Sequence, residues 1–349
     1  MKRLLLGVSL AIVVGYLFNA LFMYKFDPSR CFWKRCAEVS DRWAEQLRTS
    51  RRSCYIFIGG SETRTAIDPA FLQEHFSLPA INAAEHAGMG GICHYLLGEP
   101  YMRRGDTVVA TCVYDFLAPP TISGLRFVWT RMGYTMFREG SIDLNYKNLH
   151  SLISGEPVAL AAVLFKAPLP NERVERYDRD AVIHPSGWME VLTREEQSRP
   201  AIRIPLPNTL RPPSASFVAG LRKVERQCRA RGCRLLLRLH VEHVEEDARV
   251  MKAFFILHLT RHGFRILKEE SLGCDADAGS YADTLNHLSA AGVHKHNAAL
   301  GQSLAQELFW TEEELVSFLQ ERGWNAQGQQ TDPILNGKNG DSDLLRAAP

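Results

Sequence analysis

Short apolar runs alternate with longer amphipathic stretches along most of the chain. Cys54-Tyr55-Ile56-Phe57-Ile58, closed by Gly59-Gly60, has the continuous apolar character of a strand buried on both faces. Asp68-Pro69 then opens a helix, with Asp as N-cap and Pro in the first turn, leading into Phe71, Leu72 and Phe76. Residues 79–82 form a brief second strand. Gly88, Gly90 and Gly91 open a helix reaching Met102, and Gly105-Asp106 turns into a third strand at 107–114. The rhythm resumes with a helix at 217–230, a strand at 234–241, a helix at 245–261 and a strand at 264–267. A helix near 289–308 follows, and another opens at Thr311 with three glutamates in its first turn, where they suit the helix dipole. The expected fold is α/β: three layers, α/β/α, around a mainly parallel sheet of about five strands.

Three stretches stand outside that rhythm. Residues 4–24 are uncharged and about long enough to cross a bilayer as a helix, with Lys2 and Arg3 before them and no small-residue cleavage site after. Residues 1–25 are therefore expected to be an uncleaved transmembrane signal anchor, and 26–52 a polar, partly helical neck. The α/β domain is expected over 53–310, with a Pro-rich irregular insertion at about 117–215. A terminal helix at 311–324 and a Gly-, Asn-, Gln- and Asp-rich tail at 325–349, expected to be disordered, complete the chain.

Charge changes this picture little. The net charge of +2, from 41 basic and 39 acidic residues, gives no case for nucleic acid. Lys25, Arg30, Lys34 and Arg35 after the apolar run outnumber the positives before it, a count that puts the body in the cytoplasm, although long domains translocate largely regardless of charge. The eight cysteines form no CxxC, and Cys54 and Cys112 lie in apolar runs as core thiols. His258 and His262 share a helical face but lack the Glu of an HExxH motif, so neither metal nor cofactor is expected.

In an open parallel sheet, ligands bind beyond the carboxyl ends of the strands. Ser61 follows the first strand, Asn82 ends the second, Tyr114 and Asp115 end the third, and His240 and His243 end the fourth. Asp283 and His287 follow the fifth. A serine becomes a nucleophile at neutral pH when a base takes its proton and an acid orients that base, roles His287 and Asp283 can fill. The alternative is a turn serine, a helix cap and a surface histidine. Backbone N–H groups at Ser61 and in the Gly-rich turn after the second strand are the expected oxyanion donors. Arg64 either holds an anionic group beside Ser61 or pairs with Asp68, and Asn82 either lines the site or caps a turn.

YIFIGGSETRTAIDP, INAAEHAGMGG, GDTVVATCVYDF and YADTLNHLSAAG together resemble the SGNH (GDSL-like) hydrolases, in particular the membrane-associated branch tied to modification of cell-surface polymers. The resemblance covers about 53–116 and 217–308. It implies an SGNH/flavodoxin-like fold, with Ser61 as nucleophile, Asp283 and His287 as its partners, and Gly60 and the Ala84 N–H near the oxyanion. It also implies an esterase or O-acyltransferase acting on acyl groups, acetyl above all, of a surface or exported polysaccharide. The body would then face the periplasm or exterior from the inner membrane, beside a membrane-bound acyltransferase. The chain departs from the family pattern at Gly60, which stands where an Asp precedes the serine, and at Ala84, which stands where a Gly is usual. A Gly-x-Asn-Asp block is absent, and three residues instead of two separate Asp283 from His287. A second reading is a non-catalytic glycan-binding or assembly protein on the same fold.

Overall fold

The computed structural model describes residues 6–7, 9–11, 14–15, 28–50, 52–85, 91–112, 181–192, 209–241, 247–269, 272, 277, 280–281 and 287–331. Four parallel strands form the sheet: β1 (Tyr55–Ile58), β2 (Ala80–Asn82), β3 (Thr107–Cys112) and, later in the chain, Arg234–Leu239. Between β3 and that last strand lies a separate antiparallel hairpin, β4 (Ala181–Ile183) and β5 (Met189–Val191), so the fourth sheet strand is β6. The order β2-β1-β3-β6 reverses direction between β1 and β3, which opens a crevice at the carboxyl end of β1.

The apolar runs are explained by burial on both sides. Ile56, Ile58, Val108, Ala110, Leu237 and Leu239 point to one face, while Phe57, Val109 and Leu236 point to the other. Helices α4 (Gly91–Gly98), α5 (Ala215–Ala230), α6 (Asp247–Arg261) and α8 (Glu312–Gln320) cover the first face. Helices α3 (Pro69–Phe76) and α7 (Ala290–Ala305) cover the second through Leu72, Leu300 and Leu304. The short α2 (Ser61–Ala66) sits at the crevice, directly after β1. As the residue types suggest, Asp68 caps α3 by accepting from the Ala70 N–H, and Thr311 with Glu314 forms a capping box on α8.

Three expectations change. The fifth strand shrinks to a parallel bridge in which Leu237 exchanges both bonds around Ile266, because Leu267 at once pairs with Phe309 instead. The stretch that reads as a neck holds a 21-residue helix, α1 (Pro28–Arg48), docked on the sheet rather than standing off it. Cys36, Ala37, Ser40 and Ala44 form its buried side, Trp43 Nε1 donates to the Ala80 carbonyl at 2.9 Å, and Arg48 pairs with Asp106 at 3.5 Å. The tail is ordered at its start. Asn325 Oδ1 accepts from the Gln327 and Gln329 N–H groups, Gly328 turns at φ +77°, and its carbonyl accepts from Leu210 N–H at 2.8 Å. A side chain at 328 would collide with Phe254, its Cβ 2.6 Å from Cζ, so glycine is required there for close approach as well as for φ.

Among the described residues no helix is long and apolar enough to cross a membrane; the 4–24 segment lies mostly outside them.

Candidate active site

Gly59-Gly60 carries the chain from β1 into α2, and Ser61 is the first residue of that helix. Gly59 fits because a Cβ there would lie 2.2 Å from Thr63 Oγ1 and 3.2 Å from Thr111 Cβ. The resulting tight turn leaves Ser61 half-buried at the crevice. His287, 226 residues further on, places Nε2 3.1 Å from Ser61 Oγ.

The histidine is held from behind. Tyr281 and Leu288 pair across the base of its loop, Ser289 N–H donates to the Ser280 carbonyl at 2.9 Å, and Ser289 Oγ caps α7 by accepting from Gly292 N–H. The loop backbone comes so close to α7 that a Cβ at Gly292 would lie 2.1 Å from the Ser280 oxygen. His287 itself is only 4% exposed. Trp188, from the β4–β5 turn, packs with Tyr281, Leu288 and Val293 and donates from Nε1 to the Thr65 carbonyl at 2.8 Å, so it braces both the histidine loop and α2. Asp283, Tyr114, Asp115 and His243 lie outside the described residues.

The residues expected around this pair serve other ends. Asn82 is fully buried; its amide donates to the carbonyls of Thr63, Arg64 and Ile67 and its Oδ1 accepts from Ala84 N–H at 3.2 Å. Asn82 therefore holds the α2 backbone and does not line a site, and the Ala84 N–H is already engaged. Gly60 N–H is engaged too, donating at 2.7 Å to the buried Glu62 carboxylate. The N–H groups of Ser61 and Glu62, orphaned by their position at the start of α2, have no acceptor among the described residues. Among the described expected donors, Ser61 N–H is thus the one without an acceptor; the Gly-rich turn at 86–90 lies outside the described residues.

Arg64 is 1% exposed and neither faces open solvent nor pairs with Asp68. Its Nη1 donates to Ser40 Oγ at 2.9 Å, to the Asn82 carbonyl at 2.9 Å and to the Gly187 carbonyl at 2.7 Å, tying α1, β2 and the β4–β5 turn to α2. Asp68, besides capping α3, accepts from Ser186 Oγ at 3.0 Å. His240 is buried at the end of β6, and its carbonyl accepts from Lys252 Nζ at 3.3 Å. His258 lies edge-on to Phe254, and burial lowers its pKa.

Sequence reasoning missed two polar fixtures. Asn297 on α7 is fully buried, accepts from Asp68 N–H at 3.1 Å and donates to the Ala66 carbonyl at 2.7 Å, clasping the α2–α3 junction. Arg238 on β6 is also fully buried, between Glu269 (Nε to Oε1, 3.2 Å) and His296 (Nη2 to Nε2, 2.7 Å). Because guanidinium can only donate, His296 Nε2 must accept, which requires the neutral imidazole. Burial first, and Arg238 second, hold the His296 pKa well below its ordinary value. A charged residue inside the apolar run RLLLRL was the available signal for Arg238; Asn297 gave none.

Comparison with family models, with curated proteins and with solved structures finds no match to this chain.

Proposed function

We propose that the protein is a serine-dependent esterase or O-acyltransferase of the SGNH-like kind, anchored in the inner membrane by residues 4–24 and facing the periplasm. The observation that carries this reading is the 3.1 Å approach of His287 Nε2 to Ser61 Oγ at the crevice of a parallel sheet. Ser61 Oγ attacks the ester carbonyl carbon as Nε2 takes its proton, and the Ser61 N–H faces the developing oxyanion. The tetrahedral intermediate collapses, the alcohol leaves with the proton from His287, and Ser61 remains acylated. Water or a sugar hydroxyl then gives its proton to His287 as it takes the acyl group, and His287 passes that proton to the departing Ser61 Oγ, regenerating the serine. Asp283 is assigned the orienting role on Nδ1. The substrate class, acyl groups and acetyl above all on a surface or exported polysaccharide, rests on the resemblance to the membrane-associated SGNH branch. So do the extracytoplasmic orientation and a membrane-bound acyltransferase as partner.

A fluorophosphonate probe is expected to label the wild-type protein and to fail on Ser61→Ala and His287→Ala. Equal labelling of wild type and Ser61→Ala overturns the proposal. One observation favours a second reading, a non-catalytic glycan-binding protein: the Gly60 and Ala84 N–H groups are spent on side chains, which thins the oxyanion donors. That reading predicts saccharide binding unchanged in Ser61→Ala, with no ester turnover in the wild type.

A further inference from the structure

We infer that the edge of the sheet bearing Ser61 faces the lipid bilayer, with the β4–β5 hairpin seated in the headgroup layer, so that the site serves an ester presented at the membrane surface. This rests on reading residues 4–24 as an anchor. The direction of α1 carries the argument. Trp43 bonds to Ala80, the first residue of β2, whereas Ser40 bonds to Asn82, the last, and Arg48 reaches Asp106 just ahead of β3. Helix α1 therefore runs antiparallel to the strands, and its start at Pro28 lies beyond the same edge that carries Ser61.

The lengths show how far. From Ser40 back to Pro28 the helix rises roughly 18 Å. Ser61 follows the last residue of β1, Ile58, so it can stand at most about 10 Å past the strand end. Ser40 is level with Asn82, which pairs with Phe57 one residue short of Ile58, so with α1 aligned along the strands its head overshoots the site by roughly 5 Å. Residues 25–27 alone separate it from the apolar run, a span of at most about 10 Å. Among the described helical positions within that run, the large apolar side chains, Leu6, Leu10 and Val14, are 72%, 62% and 55% exposed, a stripe that nothing described covers.

A single tether leaves the tilt of the domain open, and the hairpin supplies a second contact. Its turn sits on Ser40, where Gly187 approaches Ser40 Oγ, and its strands run outward beside Cys36, which packs on Met189 and Val191. It projects from the Ser61 edge toward the head of α1. Among the described residues after the N-terminal run, the exposed large apolar side chains are Val182 at 43%, Leu192 at 46% and Leu308 at 37%. Two of the three are on this hairpin. Leu308 is at the opposite edge, one residue after Glu307, which pairs with Arg234 at the start of β6.

The test uses the full chain in nanodiscs of phosphatidylethanolamine and phosphatidylglycerol carrying doxyl-labelled lipid. A fluorophore is attached through p-azidophenylalanine at position 182, 192 or 229; Arg229, at the far edge, has a side chain 77% exposed. Emission from 182 and 192 is expected to fall at least two-fold relative to unlabelled lipid, and emission from 229 to stay constant. Quenching at 229, or none at 182 and 192, overturns the orientation while leaving the anchor and the Ser61 chemistry standing. Extraction of the full chain from membranes by alkaline carbonate overturns the anchor reading and this inference with it. The Val182→Glu/Leu192→Glu variant is expected to keep its turnover of p-nitrophenyl acetate and to lose at least five-fold on an acyl ester embedded in vesicles. An equal effect on both substrates overturns the assignment of a membrane-borne ester.

Discussion

Replacing Asn297 by alanine is expected to destabilise the domain and loosen the Ser61–His287 pair together, because one side chain joins the two segments that carry them. Asn297 Oδ1 accepts from Asp68 N–H, and its Nδ2 donates to the Ala66 and Val293 carbonyls. Val293 O keeps its helical partner in the variant. Ala66 O is left buried and Asp68 N–H part-buried at the α2–α3 junction, each at a cost of up to about 1–3 kcal/mol. The sum, up to about 2–6 kcal/mol, corresponds to a fall in the thermal midpoint of up to roughly 5–20 °C for a domain of this size. Thermal unfolding followed by circular dichroism reads the first effect, and hydrogen exchange at the Asp68 amide reads its cause. Loss of protection confined to residues 66–68 and the loop before α7 is the expected pattern. A midpoint within about 2 °C of wild type, with the Asp68 amide still protected, would refute the reasoning, since no other described group accepts from that amide.

Two further outcomes follow from the geometry. His296 is held neutral in the fold, so the unfolded chain binds the extra proton; stability is complete above about pH 6.5 and falls as pH drops, with a slope approaching ~1.4 kcal/mol per unit. Urea midpoints between pH 7 and 5 should flatten in His296→Gln, and an unchanged slope would assign the dependence elsewhere. Gly292→Ala is expected to fold, because alanine favours the helix by about 1 kcal/mol over glycine. Its Cβ must nevertheless displace the Ser280 backbone, so fluorophosphonate labelling of Ser61 should slow at least ten-fold; an unaltered rate would show that the loop yields without moving His287.

Runs such as YIFI and TVVATC could be read as strands because both of their faces are buried, and the order of elements follows from those runs. Helix α1 was harder to recognise. Its buried side consists of Cys36, Ala37, Ser40 and Ala44, small residues that give little apolar signal, while its arginines and tryptophans read as a polar connector. The end of the fold hid for a related reason. Trp324 is 3% exposed and Gly328 lies against Phe254, but the surrounding Asn, Gln and Gly have the composition of an unfolded tail. Those residues close a specific turn instead. At the site, Ser61 could be placed from its strand exit alone, whereas the duties of Asn82 and Arg64 depend on carbonyl groups up to 123 residues away. Residue type and spacing give no access to such partners.

The buried polar side chains at the Ser61 edge share a destination. Arg64, Asn82, Asn297 and Trp188 all act on residues 61–68, either by donating to its carbonyls or by anchoring one of its own side chains. The opposite edge mixes two modes: Cys228 and Tyr95 are kept protonated by burial, their pKa values pushed up to about 12, while buried Asp106 accepts from the Cys54 and Arg103 N–H groups and pairs with Arg48. Apolar packing is non-directional and tolerates small displacements, whereas hydrogen bonds weaken steeply as their angle opens. A proton transfer between Oγ and Nε2 needs placement to a fraction of an ångström. A domain that only had to stay folded could have avoided the desolvation of Arg64, which has no carboxylate partner among the described residues. Four buried side chains bonding directionally to or from this one short turn are what a fixed Ser61 would require, and they are the physical reason to seek the chemistry there.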